Sequence, residues 1–156
     1  MLTEKGVEIQ HPYFILISCG KYNKILVIYY MWDIKTLKKT FHLTSLYQEL
    51  NKKYFGGILG DVKFEGDSRF CAFASSVAII FTYKKPGGEN MAIIKFNTSF
   101  DWNEQNMRQI LLHEMIHYYI FVKFGRRLLF SHGLPFIWIM MKINRKYGEN
   151  IKLYWL

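Results

Sequence analysis

The chain has 156 residues, 51% hydrophobic and 18% aromatic, which is a one-domain length with enough apolar material for a sizeable core. Its two cysteines, Cys19 and Cys71, are too few and too far apart for a disulfide framework or a zinc ribbon, so a reducing, cytoplasmic setting is expected. Lys and Arg number 21 against 12 Asp and Glu, a formal net charge of +9, which favours anionic partners such as nucleic acid or an acidic surface.

The stretch PYFILISCGKYNKILVIYYMW has the length of a membrane span but carries Lys21, Asn23 and Lys24 near its middle. Each central Lys costs roughly 2.5 to 3.5 kcal/mol on insertion, so no transmembrane helix is expected there. Leu16 to Cys19 loosely matches a lipoprotein cleavage box, yet Glu4 and Glu8 precede it and a basic start is missing, so export is not expected either. The segment reads as one or two extra strands, or as the product of an upstream misassigned start.

Leu43, Tyr47, Leu50 and Tyr54 repeat at helical spacing, with Ser45 and Gln48 as a capping box and Gly56-Gly57 as the stop. Val62 to Glu65 alternates as a short strand, and Phe70 to Phe73 is a weaker strand candidate. Ser76 to Tyr83 and Met91 to Phe96 are rich in strand formers and flank a turn-rich loop from Lys84 to Asn90, which predicts an antiparallel hairpin. Asp101, with Glu104 three residues on, is the expected cap of a long helix ending near Phe124 at Gly125. Pro135 suits the first turn of a further helix that runs to about Tyr147 and stops at Gly148, leaving Ile151 to Trp155 as a terminal strand or extended tail.

The long helix contains QILLHEMIHYYIF, in which His113, Glu114 and His117 have the spacing H-E-x-x-H. Four residues advance a helix by about 400° and about 6 Å, so the two imidazoles lie on one face, one turn apart, and can share a metal. Glu114 lies about 100° round, where it can take a proton from water without being a ligand. Zinc held by three protein ligands lowers the pKa of water in its fourth position from about 15.7 to about 7. Beyond His117 the residues that commonly bind zinc are His132 and Glu149, and His132, beside Gly133 in a loop that enters a helix, is the better third ligand. A metzincin would need glycine at position 120 and histidine at 123, where this chain has Ile120 and Lys123. Tyr118 and Tyr119 read as packing residues.

From Met115 to Leu156 the acidic residue is Glu149 alone, while Lys123, Arg126, Arg127, Lys142, Arg145, Lys146 and Lys152 are basic. A basic face therefore follows the metal helix.

HEMIHYYIFVKFGRRLLFSHGLPFIWIMMKIN resembles the core of the SprT-like zinc metalloproteases, and LYQELNKKYFGGIL and NRKYGENIKLYW extend the likeness over residues 43 to 156. The resemblance implies zinc ligands at His113, His117 and His132, Glu114 as catalytic base, and cleavage of proteins, in one member proteins crosslinked to DNA. The cysteine-rich ribbon that follows the core in many members is absent from this sequence, so any DNA contact is expected from the basic residues after the metal helix.

The expected architecture is a zincin-like α+β domain over residues 43–156, an antiparallel sheet packed on the zinc helix, with residues 1–42 as an N-terminal extension. The expected activity is peptide hydrolysis on a protein or peptide substrate, with Glu114 taking a proton from water and returning one to the departing amine. The alternatives are a nucleic-acid-binding module with a structural zinc, which requires a fourth ligand from His11, His42, Cys19 or Cys71, and an inactive scaffold that recruits partners through aromatic surface.

Overall fold

The computed structural model describes residues 33–67, 77–125 and 132–153. The first helix, α1, spans Ile34–Thr40, and Asp33 caps it by accepting from the Lys35 and Thr36 amides at 2.7 and 3.0 Å. It lies inside the stretch read as an extension, yet Leu37 is fully buried in the same core as Leu43 and Leu50. Seven residues are too few to display helical periodicity, so the sequence did not announce it.

The second helix, α2, spans Leu43–Phe55 and buries Leu43, Tyr47, Leu50 and Phe55. Its stop is the expected one, Gly56 in the left-handed region at φ 66°. Its start is not. His42 is the N-cap at φ 46°, and Ser45, already inside the first turn, donates its hydroxyl back to the His42 carbonyl at 3.0 Å instead of capping. Beyond Gly56 the chain turns into the sheet under two tethers: the Asn51 amide donates to the Leu59 carbonyl at 3.0 Å and accepts from the Leu59 amide at 3.2 Å, and the Tyr47 hydroxyl donates to the Gly60 carbonyl at 2.7 Å.

Three strands follow, β1 at Asp61–Asp67, β2 at Ala78–Lys84 and β3 at Asn90–Asn97, in the order β1-β3-β2. The β2–β3 pair is the predicted antiparallel hairpin, but β1 runs parallel to β3, with Phe64 opposite Ile94, so the sheet is mixed and not antiparallel. Alternation of apolar residues sets which face of a strand is buried and is silent on the direction of its neighbour. The central place of β3 is visible in its burial, for Ala92, Ile94 and Phe96 are all fully enclosed. On the other face, Ile79, Phe81 and Tyr83 of edge strand β2 are partly exposed beside Lys95, whose ammonium lies 5.6 Å from the Phe81 ring centre. The strand candidate at Phe70 to Phe73 lies outside the described residues.

Helix α3, Glu104–Phe124, packs on the sheet, on α2 and on helix α4, Leu134–Tyr147. Asp101 and Glu104 do not form the cap. Asn103 and Asn106 do, each side chain accepting from the other's amide at 2.9 Å, while the Asp101 carbonyl accepts from the Asn106 side chain at 2.8 Å. Trp102, buried edge-on against Phe96, donates its indole N–H to the Asn97 carbonyl at 2.8 Å and fixes where the helix can begin. Both helices stop at left-handed glycines, Gly125 and Gly148, as expected. Past α4, residues 149–153 form no strand, and Trp155 lies outside the described residues. No described helix is long and apolar enough to cross a membrane.

Gly60 is where α2, β1, β3 and α3 meet. A β-carbon there would stand 2.2 Å from the Asn90 carbonyl oxygen and 2.9 Å from the Tyr118 hydroxyl, and the first of these is backbone that cannot swing aside. Gly60→Ala should therefore destabilise the protein by about 1–3 kcal/mol, the usual cost of overpacking. Denaturant unfolding of the variant measures it, and an unchanged midpoint and slope would show that this crossing has room to spare.

Candidate metal centre

Helix α3 is apolar around most of its circumference, which places its two motif histidines against the core and not in solvent. His113 and Glu114 are buried and His117 is half-buried. His132 comes from the other side, in the turn that ends at Gly133, the N-cap of α4, with Pro135 in that helix's first turn. The three imidazoles converge, and one nitrogen from each lies within 4.8 Å of the other two. The ring centres of His113 and His117 are 5.1 Å apart, those of His113 and His132 4.9 Å, and those of His117 and His132 5.1 Å. His113 Nε2 and His132 Nε2 are 3.0 Å apart.

Phe136 forms the floor of this group. Fully buried in the first turn of α4, its ring centre lies 4.8 Å from His113, 4.5 Å from His117 and 4.8 Å from His132. An apolar residue in an apolar helix carries no chemical signal in the sequence, and its position four residues after His132 is the clue it offers.

On the far side of His113, Nδ1–H donates to the Lys152 carbonyl at 2.8 Å. A carbonyl can only accept, so that contact puts the proton on Nδ1 and leaves the Nε2 lone pair facing the group. Burial lowers the His113 pKa to about 4, partly offset by the Lys152 carbonyl, and burial lowers that of His117 to about 3, helped by the other two imidazoles. Burial lowers His132 as well. All three rings are therefore neutral at physiological pH, the state in which imidazole binds metal. Three neutral nitrogen donors at this spacing suit a divalent ion of intermediate softness.

Glu114 is not in the three-imidazole group. Burial alone raises its carboxyl pKa to about 8, as expected for a carboxyl in apolar surroundings. Glu149, the other downstream candidate ligand, is committed elsewhere. Arg108 donates to its carboxylate through Nη2 at 3.1 Å and Nε at 3.3 Å, and the Tyr54 hydroxyl donates to the same oxygen. Burial pushes the Glu149 carboxyl up, but the hydrogen bonds from Tyr54 and Arg108 outweigh it and hold it below the ordinary value. Tyr118 is fully buried with its hydroxyl 3.4 Å from the Asp61 carbonyl, and the Tyr119 ring packs 5.4 Å from Phe55, so both serve packing. Of the residues proposed as a fourth ligand, His42 stands at the N-cap position of α2 and is not in the three-imidazole group, and His11, Cys19 and Cys71 lie outside the described residues.

The SprT-like family model matches residues 43–154. The chain is 29% identical over 117 residues to the DNA-dependent metalloprotease SPRTN of Xenopus tropicalis, an alignment covering 72% of this chain and 25% of that protein. It is 31% identical over 113 residues to the DNA-dependent metalloprotease dvc-1 of Caenorhabditis elegans, covering 70% of this chain and 30% of that protein. It is 30% identical over 125 residues to SPRTN of Rattus norvegicus, covering 79% and 24%. The chain thus matches less than a third of the length of these relatives.

An ion held by the three imidazoles should be lost from His132→Ala and kept by Glu149→Gln. Elemental analysis of the two purified variants against the parent checks this, and the opposite pattern would make Glu149 the ligand.

Proposed function

Because this chain belongs to the SprT-like family, we propose that it is a zinc metalloprotease of zincin-like build, in which His113, His117 and His132 hold the metal and Glu114 is the general base. The observation that carries the reading is the convergence of three neutral imidazoles, two from α3 and one from the turn before α4, around a motif whose glutamate is buried and stands outside the ligand group. A zinc ion supplies Lewis acidity at such a site, polarising a carbonyl oxygen and making water a nucleophile near neutral pH. Glu114 accepts the proton that the attacking water loses, and the same carboxyl delivers a proton to the amine nitrogen as the C–N bond breaks. Its apolar surroundings strengthen it as a base. Phe136 keeps water from the underside of the imidazoles and holds their planes.

The substrate is a protein or peptide. Edge strand β2 lies beside α3 and is the candidate edge along which an extended chain would bind by backbone hydrogen bonds. The relatives are DNA-dependent by name, and the described basic residues in the last turn of the metal helix and after it are exposed: Lys123, Lys142, Arg145, Lys146 and Lys152. We place a DNA contact on these, acting on DNA-associated proteins, in a cytoplasmic setting.

Glu114→Gln keeps the shape of the side chain and removes the proton acceptor. It should retain zinc while hydrolysis of an unfolded protein falls by roughly 10² or more. Comparable turnover by the variant would remove Glu114 from the mechanism, and a parent that binds zinc without cleaving anything would favour a structural metal. Charge reversal of Lys142, Arg145 and Lys146 to Glu should weaken DNA binding on all sequences alike and flatten its salt dependence, with zinc content unchanged. Mobility-shift titrations at two salt concentrations read this, and identical affinity and salt slope in both proteins would leave a protease with no polyanion partner on that helix.

A further inference from the structure

The orientation of His113 depends on a carbonyl outside regular structure. Lys152 lies past α4, outside any helix or strand. Two side-chain contacts hold the segment that carries it. The Asn144 amide, one turn from the end of α4, donates through Nδ2 to the Ile151 carbonyl at 2.9 Å and accepts through Oδ1 from the Ile151 amide at 2.9 Å. Ile151 itself is buried. Upstream, the Glu149 carboxylate is fixed to Arg108, which also donates to Glu49 at 3.3 Å and to the Tyr54 hydroxyl at 3.1 Å. Arg108 and His113 both belong to α3, so the segment from Glu149 to Lys152 is strapped along the metal helix at two heights.

We propose that Asn144 is a positioning residue of the metal centre: by gripping both backbone groups of Ile151, it aims the adjoining Lys152 carbonyl at His113 Nδ1 and so presents Nε2 to the metal. The inference rests on the zinc site proposed above and adds to it a residue that touches neither metal nor substrate. Partners that orient a ligating imidazole are worth about 10–100-fold in metal affinity. A planar amide fits this work because one side chain offers a donor and an acceptor with fixed spacing. The fold carries its own control, since Asn51 makes the same pair of bonds to Leu59, at the turn from α2 to β1.

The test compares zinc affinity, by chelator competition, and imidazole tautomer, by ¹⁵N NMR of the zinc-loaded protein. In the parent, His113 should ligate through Nε2 with Nδ1 protonated. Asn144→Ala should bind zinc about 10–100-fold more weakly with an unchanged circular dichroism spectrum, whereas Asn51→Ala should unfold at lower temperature and keep the parent's zinc affinity. Should Asn144→Ala not fold, Asn144→Asp, which keeps the acceptor and loses the donor, must weaken zinc in the same direction. Ligation of the parent through Nδ1, unchanged affinity in the folded Asn144 variant, or an equal loss in Asn51→Ala would each overturn the proposal. A parent that binds no zinc at all would overturn the metal reading beneath it, a result distinct from all three.

Discussion

Burying polar groups on an apolar helix is the constraint from which the other features follow. Helix α3 encloses His113 and Glu114 among Ile110, Leu111, Leu112, Met115 and Ile116, all of them nearly or wholly removed from solvent. In such surroundings a charge is expensive and an unpaired donor only somewhat less so. The imidazoles answer by staying neutral. His113 also needs an acceptor for Nδ1–H, and no other part of α3 can offer one, because the helix's own carbonyls are taken up within it. The acceptor must come from a separate piece of chain, which is why the segment after α4 returns to lie along α3.

That return explains features that look unrelated in isolation. Arg108, Tyr54, Glu49 and Glu149 form one polar cluster joining α2, α3 and the chain beyond α4. The pairs within it are only partly buried, so each ion pair contributes little by itself. Their shared effect is geometric, holding three elements in register around the imidazole group. Phe136 does the same from below with no polar atom at all. Its ring packs against all three from one side, and a smaller side chain would leave them free to turn.

Much of this was legible in the residues, for reasons that differ by element. The ends of α2, α3 and α4 could be read because glycine is the residue that enters the left-handed region without strain, and Gly56, Gly125 and Gly148 each do so. The starts of α2 and α3 were misread because several capping residues stand close together there. Before α3, Trp102 and the reciprocal Asn103–Asn106 pair decide between them, and tertiary packing fixes the tryptophan. The grouping of the three histidines could be expected because metal chemistry restricts both residue type and spacing. The Lys152 carbonyl could not be found that way, since every residue has one, and Asn144 reads as an ordinary asparagine near a helix end until its bonds to Ile151 are seen. The parallel pairing of β1 escaped because no side chain records strand direction.

The order of the strands also bears on how the chain reaches this state. Strands β2 and β3 are joined by a short turn and can zip together from Lys84 and Asn90 outward with little loss of chain entropy. Strand β1 pairs with β3 across a far longer span, Asp61 with Met91 and Asp67 with Asn97. Non-local pairing of this kind is the slow part of folding. Until β1 docks, one edge of the most apolar strand, with Ala92, Ile94 and Phe96, stands open to pairing with another chain. The tethers that bring β1 into place, Tyr47 on the Gly60 carbonyl and Asn51 on Leu59, both come from α2, a helix of local contacts that can form early. By steering β1 toward its partner they shorten the interval in which that edge is exposed.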